Sequence, residues 1–160
     1  AQDPDEGTLP PAALSWTVLL HHNTHVHTFV GSSGASGSFQ TEYHGVGTFE
    51  GPMLAGAAVS GGDWVLIRRD ASAELDIRFT LTTAEDELIY FRSTGLFVAS
   101  TEVAVRIRGG ETVPPAAYYF RTATLLETGA PRLRGLNHLL WIGVGQRTPT
   151  GMITDVFSVH

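Results

Sequence analysis

A chain of 160 residues with 42% hydrophobic and only 16% charged residues is sized for one domain and is too apolar and too weakly charged to stay disordered. A net charge of −6, with every one of the ten basic residues an Arg, repels phosphate and argues against nucleic acid as a partner. No apolar run reaches the ~20 residues of a membrane-spanning helix, so no membrane partner is expected, and the absence of Cys excludes disulfides, thiolate nucleophiles and zinc–thiolate sites.

Residues 1–13 are rich in Asp, Glu, Gly and Pro and read as a loose leader before a single domain over 14–160. The chain opens at Ala1. Cleavage of a secretory signal is one reading, which favours a secreted protein, and trimming is the other. A strand is expected from Leu14 to His22, continuing to Val30. Gly31–Ser38 reads as a flexible Gly/Ser loop, either a lid at a barrel mouth or a linker. Further strands are expected at Gln40–Val46, Met53–Val59, Asp63–Arg68, Ala73–Thr83, Glu87–Ser93, Tyr118–Glu127, Leu136–Val144 and Gly151–Val159. Turn signals such as Gly51-Pro52, Gly61-Gly62, Arg69-Asp70, Glu85-Asp86 and Thr148–Thr150 separate them. Short strands with regular breaks indicate an all-β, mainly antiparallel sandwich or barrel. Ser100–Gly110 is ambiguous. Val103 and Ile107 lie one helical turn apart before Gly109, whereas Val103, Val105 and Ile107 alternate as in a strand.

Two strands carry polar rows. In 74–81, Leu75, Ile77, Phe79 and Leu81 share one face, and Glu74, Asp76, Arg78 and Thr80 the other. In 118–127, Tyr119, Arg121 and Glu127 share a face with Ala123 and Leu125. A wet outer surface is the simple reading of each row. The other reading is a barrel interior in which a phenol, two guanidinium groups and carboxylates from both rows orient an oxygen-rich substrate and move a proton. The run from His21 to His27 offers a third chemistry. On a strand, His21, His25 and His27 share a face at a spacing that can bring imidazoles to one metal ion.

The blocks Gly47–Pro52, Gly61-Gly62-Asp63-Trp64, Glu74–Phe79, Leu88-Ile89-Tyr90, Tyr118-Tyr119-Phe120-Arg121-Thr122, Glu127–Pro131 and Leu136-Asn137, in that order, resemble domain-of-unknown-function family 3237, also called uncharacterised protein family 0311. The resemblance covers about residues 40–160. It departs from the family pattern at Phe39–His44, at Glu85-Asp86-Glu87 and in the His-rich first strand. It implies a calycin-like antiparallel β-barrel with one short helix before the Tyr-Tyr-Phe-Arg block, which turns the reading of 100–109 towards helix, and it favours the interior reading of the polar rows. Family members in natural-product pathways point to isomerisation or ring closure without an external cofactor.

The expectation is therefore a cofactor-independent isomerase or cyclase acting on a small, apolar, oxygenated molecule, for instance by adding a hydroxyl across an alkene. Asp76 and Glu127 would be the acid–base pair, with Arg78 and Arg121 setting their charge and Tyr119 relaying a proton. Asp63, Trp64, Phe120 and Asn137 would bind substrate, Trp64 being favoured as pocket wall. The rival expectations are a non-catalytic carrier with the same barrel and a metal-dependent enzyme using the His cluster. Exposed edge strands leave a homodimer as an open expectation.

Overall fold

The computed structural model describes residues 14–19, 27–33, 37–44, 47–51, 54–149 and 151–159. They form ten antiparallel strands: β1 Leu14–Leu19, β2 His27–Ser33, β3 Gly37–His44, β4 Thr48–Glu50, β5 Gly56–Ile67, β6 Ala73–Thr83, β7 Leu88–Ala99, β8 Tyr118–Glu127, β9 Leu140–Thr148 and β10 Gly151–Val159. The sheet order is β2-β3-β5-β4-β1-β10-β9-β8-β7-β6, and β5 also pairs with β6. The sheet thus curls back on itself into a barrel. Its seam is thin: β4 meets β5 at the single pair Phe49↔Gly56, whereas β5 and β6 pair from Gly56↔Thr83 to Ile67↔Ala73.

Period-two patterning sets the faces. On β6, Ala73, Leu75, Ile77, Phe79 and Leu81 are buried while Glu74, Arg78 and Thr80 are exposed. β7 and β8 continue the inner layer with Ile89, Phe91, Phe120 and Leu126. Local chemistry makes the turns. In the β5–β6 turn, the Asp70 carboxylate accepts from the Ser72 N–H at 3.0 Å and from the Ser72 hydroxyl at 2.6 Å. In the β6–β7 turn, Thr83 Oγ1 accepts from the N–H groups of Glu85 and Glu87.

The ambiguous segment is helical, α1 Thr101–Arg108. End effects outweigh the β-branched propensity of its valines. Ser100 caps the first turn by accepting from Val103 N–H, Glu102 sits in the first turn, and Arg106 and Arg108 sit in the last, as the helix dipole favours. Val103 and Ile107 pack on the core. Two 3-10 helices, Pro115–Ala117 and Pro131–His138, precede β8 and β9.

Three expectations change. Gly31–Ser33 and Gly37-Ser38, expected in a loop, are strand: Gly31 pairs with Phe39 and Ser33 with Gly37, since backbone pairing does not require bulky side chains; residues 34–36 of that segment lie outside the described residues. Gly61-Gly62 is not a turn but a bend inside β5. Gly61 has φ 149°, and a Cβ there would stand 2.0 Å from the Arg78 carbonyl oxygen, so the position needs glycine. Leu136 belongs to a 3-10 helix, and β9 starts at Leu140. The leader 1–13 lies outside the described residues.

Candidate functional site

Towards one end of the barrel Leu81, Ile89, Leu126, Leu133, Leu136, Trp141 and Val156 are buried. The other end holds a cavity of about 290 Å³ beneath α1. Its wall is mostly apolar, built from Val65 and Ile67 on β5, Leu75 on β6, Phe97 on β7, Phe120 on β8 and Met152 on β10. Phe97 and Phe120 meet edge to face, with ring centroids 5.8 Å apart. Gly145 leaves room for the Phe120 ring, from which a Cβ there would stand 2.5 Å.

Among the described residues, four polar side chains line this apolar space: Asp63, Thr101, Arg108 and Arg147. Asp63 follows the Gly61 bend on the inward parity of β5, is 3% exposed, and accepts from the Asp76 backbone N–H at 3.2 Å. A buried carboxylate is costly unless bonded, so its presence in a cavity wall marks it as a candidate for function. β3 brings Glu42 to the register position beside Asp63. Arg147 enters on β9, where Trp141, Gly143, Gly145 and Arg147 share the inward parity. Its backbone N–H donates to Tyr118 Oη at 2.7 Å, which fixes the strand end. Arg108 comes from the last turn of α1. Among the described residues, neither Arg108 nor Arg147 has a carboxylate partner. The arrangement suits a small apolar body carrying an oxygen function, with cations near the mouth and one carboxylate in the wall.

The interior reading of the polar rows is overturned. Asp76 and Arg78 lie on the outer face, their side chains 40% and 50% exposed. Arg78 grips the Asp76 carboxylate through Nε at 3.2 Å and Nη2 at 3.0 Å, and this contact raises the guanidinium pKa. Tyr119 and Glu127 are also exposed on the outside. Arg121, half-buried there, stacks over Tyr119 and donates to the Phe120 carbonyl. The reason is solvation. With an apolar row available on the opposite face, turning the charged row inward would desolvate several charges at once. Asp76 and Arg78 instead border an outer groove of about 240 Å³ with Arg92, Leu125 and Leu140.

The binding residues divide. Asp63 and Phe120 line the cavity. Trp64 does not: it is 41% exposed on the outer face, beneath the Arg78 guanidinium. Asn137 is a clamp away from the cavity. Its Oδ1 accepts from Thr128 N–H and its Nδ2 donates to Thr128 O, both at 2.9 Å. His21 and His25 lie outside the described residues, and His27 is described only by its backbone at the start of β2. Among the described residues, no three His, Asp or Glu converge as a metal-ligand set. Sequence reasoning missed Arg108, Arg147 and Thr101. Arg147 left one trace, a charge ending an otherwise uncharged inward row.

Comparison with known proteins agrees with this architecture. A UPF0311 protein of Rhodopseudomonas palustris is 28% identical over 114 residues, covering 71% of this chain and 74% of that protein. The crystal structure of a conserved R. palustris protein of unknown function superposes with a TM-score of 0.84 at 24% identity, covering 96% of this chain and 99% of that one. A β-barrel-like protein of Acinetobacter baumannii superposes with a TM-score of 0.78 at 25% identity, covering 98% and 100%. An enzyme from Penicillium herquei shares the fold at a TM-score of 0.61 and 17% identity, covering 96% and 99%. The model of the protein family of unknown function DUF3237 matches residues 12–159, and with nearly the whole chain inside that match, this protein belongs to the DUF3237 family.

Proposed function

We propose that the cavity under α1 binds a small, largely apolar molecule with an oxygen function and isomerises or cyclises it by acid–base catalysis, without an external cofactor. The observation that carries this reading is Asp63, 3% exposed in the wall of a mostly apolar 290 Å³ space. In its neutral form Asp63 donates its proton to one alkene carbon. The substrate hydroxyl oxygen then forms the new C–O bond at the other carbon, and its proton passes to the Asp63 carboxylate, restoring the acid. One π bond is consumed, one C–O bond forms, and mass is unchanged. The apolar wall excludes water that would compete as nucleophile. Arg108 and Arg147 hold the substrate's remaining oxygen. That the P. herquei protein of the same fold is described as an enzyme lends support to a catalytic use of the barrel.

The test is incubation of the protein with a panel of hydroxylated alkenes, followed by chromatography with mass detection. A new peak of unchanged mass, lost in Asp63→Asn by about 10²–10⁴-fold, is the expected result. The mostly apolar wall favours one second reading, a non-catalytic carrier. It would appear as a compound retained by both wild type and Asp63→Asn with no conversion by either.

A further inference from the structure

We infer that two copies of this chain pair face to face, antiparallel, through the outer surface of β8. The outer row of that strand is Arg121, Ala123, Leu125 and Glu127. It is self-complementary about the position of Thr124. A two-fold axis lying in the interface across the strand there sets Arg121 against the partner's Glu127, and Ala123 against the partner's Leu125. Each charge meets its opposite and each large side chain meets a small one. Arg121 and Glu127 stand about 20 Å apart along the strand, at ~3.3 Å per residue, so neither can satisfy the other within one copy. Among the described residues, neither has an ion-pair partner.

The surroundings fit a second copy better than water. Leu125 pairs with Leu140, and Ala123 with Ile142. Leu140 in turn pairs with Val159. Leu125, Leu140 and Val159 are each 45–46% exposed, and Ile142 is 36% exposed. This makes a continuous apolar surface across three strands, larger than scattered surface leucines. These three strands together with β7 on the other side of β8, about 4.8 Å apart and about nine residues long, present on the order of 600 Å² in projection. Side-chain relief brings that towards the ~800 Å² per partner of a stable interface. The outer groove beside Leu125 and Leu140 gives the partner's side chains a recess. An isologous contact of this kind closes after two copies and leaves no growing edge.

The experiment is size-exclusion chromatography with light scattering on the full chain, with circular dichroism to check folding of each variant. Wild type is expected at twice 17.2 kDa. Arg121→Glu and Glu127→Arg are each expected to weaken the dimer roughly hundredfold or more, because each places two like-charge contacts across the two-fold. The double variant Arg121→Glu/Glu127→Arg exchanges the charges and is expected to restore the dimer. A wild-type monomer at 100 µM overturns the inference. So does a dimer indifferent to both single reversals, which would put the interface elsewhere, and so does a double variant no better than the singles.

Discussion

Neutralising Asp63 separates charge from shape at the cavity wall. Asp63→Asn keeps the side-chain outline and can keep the bond from the Asp76 N–H, so the change is chiefly electrostatic. A cavity of 290 Å³ equals a sphere about 8 Å across, so a bound anion lies within about 8 Å of the carboxylate. At that separation, an effective dielectric of roughly 20–40 gives about 1–2 kcal/mol of repulsion. Removing it should tighten an anionic ligand about five- to thirtyfold. A matched pair of probes reads this directly: 2-naphthoate, which is anionic, and 2-naphthylmethanol, which is neutral. Fluorescence titration at pH 9, which reads the ionised form of Asp63 and not its proton-donating form, is expected to show the gain for naphthoate only, with the alcohol changing by less than about threefold. Arg147→Gln is expected to weaken naphthoate and leave the alcohol alone. Equal shifts for both probes in Asp63→Asn, or none for either, would refute the placement of Asp63 at the ligand.

Other expectations concern what holds the barrel. Arg132 bonds Glu87, and this lowers the Glu87 carboxyl pKa. A depressed folded pKa contributes stability above the ordinary carboxylate pKa of about 4.3, and the contribution disappears as pH falls through the folded value. The melting-temperature advantage of wild type over Arg132→Gln should therefore be largest near neutral pH and shrink below about pH 4. An advantage that grows on acidification contradicts the pairing. Ser93 and Thr124, 1% and 0% exposed, share a 2.7 Å hydroxyl bond inside the barrel. Thr124→Val should cost about 1–2 kcal/mol in urea unfolding, and adding Ser93→Ala should cost less than its effect alone, with coupling of about 0.5–1.5 kcal/mol. Strict additivity would dissolve the bond. Asn137→Ala removes both bonds to the Thr128 backbone and should cost about 1–3 kcal/mol, with ligand binding in the cavity unchanged. An effect under about 0.3 kcal/mol would show that water replaces the clamp.

The class of fold and most of the strand map are legible in the order of the residues alone. Period-two alternation over Ala73–Thr83 and Tyr118–Glu127 matches β6 and β8 end for end, because backbone pleat alone dictates that pattern. Family-level pattern decided α1, where local propensity was divided. Alternation also grouped Asp76 with Arg78, and Arg121 with Glu127, correctly. It could not tell inside from outside, since both faces of a curled sheet read alike until the sheet closes. The folded sheet sets that, by burying Leu75, Ile77 and Phe79 and leaving the charges in water. The cavity was equally out of reach of local reasoning. Asp63, Arg108, Arg147 and Phe120 come from β5, α1, β9 and β8, and only closure of the barrel, with α1 over its end, brings them to one space.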